Sequence, residues 1–164
     1  MIADAPLLKH SHFMEDKYNC LKLDNQICFP LYACAKEVVR AYKPYLDELD
    51  LTYTQYITMM VLWEERSINV RDIGRRLYLD SGTLTPLLKK LEKKGYIVRK
   101  RSAEDERNLI VELTDEGFML RERALKVPKQ MGECICLDDK ELADIYDKLY
   151  IILDRLSSKN RAVK

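Results

Sequence analysis

Glycine and proline are scarce. Five of each among 164 residues leave too few corners for an all-β fold with many tight turns. No apolar run approaches the roughly 20 residues of a membrane-spanning helix. The first residues lack a basic segment followed by an apolar stretch, so no secretion signal is expected. Histidine is nearly absent: His10 and His12 have no neighbouring ligands in the sequence and read as part of a solvated arm. A charge imbalance is missing too. Lys and Arg number 28 against 27 Asp and Glu, which excludes a generally basic or acidic surface. What is left is a soluble chain of about one domain, with no membrane association, expected in the reducing cytoplasm. Its five cysteines, an odd number, then read as free thiols rather than a disulfide framework.

The charge that is present is concentrated. Between Arg66 and Arg107 stand 12 basic and 6 acidic side chains, a local surplus of six in a chain of net charge +1. The same stretch carries the clearest helical spacing. Val70, Ile73 and Leu77 repeat on one face. Leu84, Leu87, Leu88 and Leu91 do so after a short break at Tyr78 to Asp80. Asn69 suits the cap of the first helix, Asp80 or Ser81 that of the second, and Gly95 a left-handed stop, with Tyr96 folding back on Leu91. Two such helices form a helix-turn-helix. Residues 96–101 and 108–113 follow as a β-hairpin with a charged tip. The outer face of the second helix carries Ser81, Thr83, Thr85, Lys89, Lys90, Lys93 and Lys94. Small hydroxyls near a helix start can approach base edges, and lysines can reach phosphates or guanine edges. A lysine-rich solvated face is the commoner meaning of such a run. The turn, the hydroxyls and the hairpin together favour DNA.

The remaining chain reads as helices. Residues 1–22 form an irregular arm. Residues 23–50 hold a long helix with Asp24 as its cap; Pro30 there either kinks it or delays its start, which leaves Cys28 near a helix N-terminus. Residues 51–113 form the DNA-binding unit. It opens on a helix with a Thr52/Gln55 capping box and a core stripe of Tyr56, Met59, Met60 and Trp63, and Ile68 is placed to add a strand beside the hairpin. Residues 114–164 hold a helix capped by Thr114, a break at Pro128 and Gly132, and a last helix begun by Asp138. Leu142, Ile145, Tyr146, Leu149, Ile152, Leu153 and Leu156 give that helix a broad apolar stripe. One small DNA-binding unit does not need helices at both chain ends for its own core. Their economical use is a homodimer interface, which suits two-fold operators. The fold class expected is mainly α with a small β-hairpin wing.

The stretches LYLDSGTLTPLLKKLEKKG and DERNLIVELTDEG resemble the MarR family of dimeric winged helix-turn-helix regulators. The likeness extends from Leu23 to about Leu156. It narrows at LDNQICFPLYACAKEVVRAYKPYLDELDLTYTQY, which looks like the branch that represses peroxide-defence genes and senses organic hydroperoxides through a cysteine. The resemblance implies that Cys28 is the redox-sensing thiol and that Tyr42 and Tyr53 hydrogen-bond its thiolate, one of them from a partner subunit. It places Ser81, Thr83, Thr85, Pro86 and Lys90 on the recognition helix, beside Lys89. It makes Arg107 the wing residue that enters the minor groove of double-stranded operator DNA and Asp105 its orienting partner. Cys134 and Cys136 fall about where two-cysteine relatives place a resolving thiol, with Cys134 preferred. Pro30 and Lys90 depart from the pattern, the latter standing where relatives carry arginine.

The chemistry agrees. A thiolate attacks a peroxide, and a helix N-terminus favours that anion. The product is a sulfenic acid, which a second thiol converts to a disulfide. Cys20 and Cys34 read as ordinary buried residues. Cys134 and Cys136 fall short of the four ligands of a structural metal site, so neither metal nor cofactor is expected. Release by a small phenolic or lipophilic ligand is the alternative mode of regulation. An enzyme, a peroxidase using Cys28, is disfavoured by the basic winged helix.

Overall fold

The computed structural model describes residues 17–102, 105 and 108–162, with side chains as far as Ser158. The chain divides between Arg40 and Ala41 into two compact units. In the first, two 3-10 turns, Asn19–Leu21 and Leu23–Asn25, precede helix α1 (Cys28–Asp47), whose residues from Ala41 on belong to the second unit. The Asn25 amide donates to the Asn19 carbonyl at 2.8 Å and Gln26 to the Cys20 carbonyl, tying the two turns together. Asp24 is not the cap expected of it: it lies inside the second 3-10 turn, and α1 begins at Cys28. Pro30 explains the later start. As the third residue of α1 its missing N–H is one the helix would leave unpaired anyway, whereas a start at Leu23 would bury the proline in a helix interior.

In the second unit the order is α2 (Tyr53–Glu65), β1 (Ser67–Asn69), α3 (Val70–Leu77), α4 (Ser81–Lys93), β2 (Ile97–Arg101), β3 (Leu109–Leu113), α5 (Asp115–Ala124), α6 (Lys126–Ile135) and α7 (Asp139–Ala162). Local chemistry sets these boundaries. Thr52 and Gln55 make the expected reciprocal box at the start of α2. Asn69 accepts from Arg71 N–H at 2.8 Å to open α3. Asp80, rather than Ser81, caps α4 through Thr83 N–H at 2.7 Å. Gly95 stops α4 at φ +77°, and Tyr96 N–H returns to the Leu91 carbonyl at 3.1 Å, a helix end that needs the left-handed residue.

The three strands form an antiparallel sheet in the order β1-β3-β2, with both Ile68 and Arg99 opposite Val111. The strand expected at Ile68 is therefore present. Met59, Leu62, Ile73, Leu91 and Val111 have no exposed surface. They join α2, α3, α4 and the sheet into one core. Burial of each such side chain contributes about 1.5–3 kcal/mol. Met60, expected in the core stripe, faces out at 41% exposure. It is one residue past fully buried Met59, which turns it about 100° away around the helix.

Two expectations for the C-terminal helices are corrected. The helix after Thr114 breaks at Leu125, and the next one runs through Pro128 and Gly132 to Ile135. Pro128 is harmless because it falls in the first turn of α6, as Pro30 does in α1. Cys134 consequently lies in the last turn of α6, and Cys136 closes it with a left-handed backbone at φ +50°. Asp138 caps α7 as expected, accepting from Lys140 and Glu141 N–H. The apolar stripe of α7 is open in the single chain: Leu142, Ile145, Tyr146, Leu149 and Leu156 are all exposed.

Candidate functional site

Helix α4 presents two neighbouring rows to solvent. Ser81, Thr85 and Lys89 lie four residues apart, and Pro86, Lys90 and Lys93 run beside them. All six are exposed. Lys89, Lys90 and Lys93 carry no ion pair among the described residues. Thr83 differs: its hydroxyl donates to Asp80 Oδ2 at 3.3 Å, so it belongs partly to the cap. The same bonds, led by Thr83 N–H, hold the Asp80 carboxyl below its usual range. Lys94 leaves the basic face altogether and pairs with Asp50 at 2.8 Å. It ends α4 as the C-cap, where the chain turns inward.

The hairpin is fastened to α4 by a contact the sequence reading did not include. Glu92 Oε1 accepts the Arg99 backbone N–H at 3.1 Å, and Oε2 accepts the guanidinium Nε at 3.0 Å and Nη2 at 2.5 Å. Arg99 holds the Glu92 carboxyl below its usual range. Lys100 and Glu112 pair across β2 and β3 at 2.7 Å. At the wing tip, Asn108 donates from its backbone to the Asp105 carbonyl at 2.9 Å and from its amide to the carboxylate at 3.1 Å. Arg107 lies outside the described residues.

Beside the start of α4 an open cavity of about 770 Å³ is lined by Asn69, Arg71, Arg75, Tyr78, Ser81 and Asn108 among others. Arg75 pairs with Asp72. Arg71 is exposed and carries no ion pair among the described residues. The sequence reading passed over it because it belongs to α3 rather than to the helix with the lysine run. Arg76, on the same helix, is committed elsewhere: it binds Glu64 and Glu65 and locks α3 onto the end of α2.

The thiols occupy other parts of the chain. Cys28, in the first unit, is the first residue of α1 and is exposed. Cys20 and Cys34 are exposed as well, which corrects their reading as buried residues. In the second unit Tyr42 and Tyr53 do come together, ring centroids 5.0 Å apart, with Tyr56 5.9 Å from Tyr42 and Trp63 beyond it. Burial pushes all three phenols up, so each keeps its O–H donor at neutral pH. Cys134 Sγ lies 3.4 Å from the Tyr45 hydroxyl. Cys136 Sγ donates to the Glu133 carbonyl at 2.9 Å. Among the described residues no three His, Cys, Asp or Glu side chains are placed to hold a metal ion, and no helix is long and apolar enough to cross a membrane.

Comparison with known proteins gives a consistent set of likenesses. Residues 40–123 match the family of the transcriptional regulator SarA/Rot. The chain is 45% identical over 154 residues to the organic hydroperoxide resistance transcriptional regulator of Bacillus subtilis, covering 90% of this chain and 100% of that one. Among solved structures it resembles reduced AbfR bound to DNA, with 36% identity, a TM-score of 0.69, and 83% and 96% of the two chains covered. It resembles disulfide-formed AbfR with 35% identity, a TM-score of 0.60, and 83% and 93% covered. AbfR is a protein of Staphylococcus epidermidis.

Proposed function

The chain belongs to the SarA/Rot-type winged-helix transcriptional regulators of the MarR kind, and on that premise we propose that it represses from an operator and lets go when an organic hydroperoxide oxidises Cys28. One observation carries the oxidative half of this reading. Cys28 stands exposed as the first residue of α1, at the end of the helix where the macrodipole favours an anion. The name of the Bacillus relative supports it. So does the likeness to AbfR, whose solved forms include a reduced one bound to DNA and one with a disulfide.

DNA binding follows from the rows on α4 and from the wing. Ser81, Thr85, Pro86, Lys89 and Lys90 enter the major groove, with Thr83 holding the helix start. Arg71 and Lys93 meet phosphates. Asp105 orients Arg107 at the wing tip toward the minor groove. Two copies, joined through their α7 stripes, set the two recognition helices one turn of DNA apart.

In the oxidation step the Cys28 thiolate attacks the terminal oxygen of the hydroperoxide. An S–O bond forms, the O–O bond breaks, and the alkoxide leaves with a proton as the alcohol. Cys28 becomes a sulfenic acid. Tyr42 and Tyr53 donate to the thiolate. One of these two donors comes from the second subunit. The resolving thiol is Cys134, with Cys136 as substitute. The sulfenic acid then becomes a disulfide between subunits, and the strain shifts the recognition helices off their spacing.

A mobility-shift titration on the DNA upstream of the coding sequence tests this. Cumene hydroperoxide should release the wild-type protein and leave the Cys28→Ser protein bound, while both bind alike when reduced. Peroxide-induced release of Cys28→Ser would place the sensor elsewhere. Release by a phenolic ligand alone, with peroxide inert, would replace the oxidative reading.

A further inference from the structure

Among the described residues, Cys134 is the one thiol placed against a side chain of a distant element. Its Sγ meets the Tyr45 hydroxyl at 3.4 Å across 89 residues of sequence. The neighbouring candidate is bound differently. Cys136 donates to a carbonyl of its own turn and sits on a left-handed backbone that closes α6, so its thiol is tied to the helix it ends. The contact with Cys134 pushes the Tyr45 phenol up. Tyr45 therefore keeps its proton at neutral pH and can donate to the sulfur.

Position on α1 gives the contact its meaning. Tyr45 is three residues beyond Tyr42, one helical turn along the same side. If Tyr42 serves Cys28 of the partner subunit, adjacent turns of one helix handle both thiols of the disulfide. From this geometry we propose that Tyr45 is a positioning residue for the resolving step: its hydroxyl holds the Cys134 thiol against α1, on the side where Cys28 of the partner subunit is oxidised. The proposal rests on the reading of Cys28 as the oxidised thiol and of Cys134 as its partner.

The step balances without a further reagent. The Cys134 sulfur, as thiolate, attacks the sulfenic sulfur of Cys28 in the other subunit. The S–S bond forms and the S–O bond breaks. The departing hydroxide takes up the proton lost by the Cys134 thiol and leaves as water. Tyr45 accepts no electrons and keeps its own proton. It fixes which thiol is nearest and from which side it arrives. This also predicts the choice between Cys134 and Cys136, because Tyr45 reaches only the former.

The test separates formation of the sulfenic acid from its consumption. The reduced full-length dimer is treated with one equivalent of cumene hydroperoxide. Dimedone traps the sulfenic acid, and non-reducing electrophoresis follows the covalent dimer. Tyr45→Phe keeps the ring and removes the hydroxyl. The expected result is unchanged operator affinity when reduced, an unchanged rate of sulfenic acid formation, and disulfide closure slowed roughly two- to tenfold, the loss of one hydrogen bond. Dimedone adduct should accumulate accordingly, and Cys136→Ser should close at the wild-type rate. A merely structural role would alter reduced operator affinity as well. Closure by Tyr45→Phe at the wild-type rate, or faster, overturns the proposal, and so does dependence of closure on Cys136. If the wild type forms no covalent dimer and Cys134→Ser behaves identically, the two-cysteine reading itself fails. That result is distinguishable because the sulfenic acid then persists in every variant.

Discussion

Lys90 is one residue whose role can be weighed against its neighbour. It lies in the exposed row of α4 with no ion pair among the described residues, as does Lys93 one turn later. A base contact and a phosphate contact leave different traces. Truncating a base-reading side chain costs about 1–3 kcal/mol and relaxes discrimination at one base pair. Truncating a phosphate contact weakens all sequences alike and lowers the salt slope by about one. Lys90→Ala is expected to behave in the first way and Lys93→Ala in the second. Binding titrations on operator and scrambled DNA at several salt concentrations distinguish them. Equal losses on both DNAs for Lys90→Ala would make it a phosphate contact.

At the scale of elements, the proposed DNA contacts need a fixed distance between α4 and the wing. The Glu92–Arg99 clamp supplies it, reaching from the last turn of α4 to the middle of β2. Its ionisation has a defined direction. The Glu92 carboxyl titrates below its usual range when folded. Its contribution is therefore fully present above the ordinary carboxylate pKa and is lost as pH falls through the lower, folded value. Glu92 is one-third exposed and Arg99 less than one-fifth, so solvent screening keeps the pair near about 1 kcal/mol. Glu92→Gln should destabilise the chain by about that much at pH 7 and by progressively less below about pH 4. Urea unfolding at a series of pH values reads it. A gap between wild type and variant that widens in acid would contradict the assignment. A second joint ties α5 to α2: Trp63 Nε1 donates to the Gly117 carbonyl at 2.8 Å, and a Cβ on Gly117 would run into the Tyr96 carbonyl and meet Leu113. Only a glycine lets α5 leave the sheet so closely.

For the whole molecule, the exposed stripe of α7 is an apolar surface that the single chain leaves open. Leu142, Ile145, Leu149 and Leu156 are spaced to meet another helix, and Tyr146 and Tyr150 stack beside them with centroids 4.6 Å apart. A carboxylate placed in that stripe would be buried on association. Leu149→Glu is expected to weaken dimerisation by more than about tenfold, roughly 1.4 kcal/mol. Operator affinity should fall with it, because one recognition helix then binds without the other. Sedimentation and a mobility shift measured on the same sample test the link. A Leu149→Glu monomer that still binds operator tightly would separate dimerisation from DNA recognition.

The sequence by itself determined what depends on neighbours within a few residues. The caps at Thr52, Asn69, Asp80, Thr114 and Asp138, the stop at Gly95 and the helical spacing of the leucines are local rules. They gave the helix-turn-helix and wing, and they left Cys28 at a helix start. The resemblance to a known family then singled out Tyr42 and Tyr53, whose rings the fold does bring together. Tertiary structure decided the rest. A proline costs a helix no hydrogen bond only in the first turn, so Pro30 and Pro128 could not be judged before the helix starts were fixed. Lys94 carries the same charge as Lys90, and only the path of the chain turns it toward Asp50. Cys20 and Cys34 look like buried thiols in composition and are exposed. The Tyr45–Cys134 contact joins residues 89 apart, a separation at which no periodicity or cap carries information. Local rules set each element's bounds and faces, because they act through backbone hydrogen bonds of short reach. Which side chains meet depends on how those faces pack, and that is fixed only when the chain closes on its core.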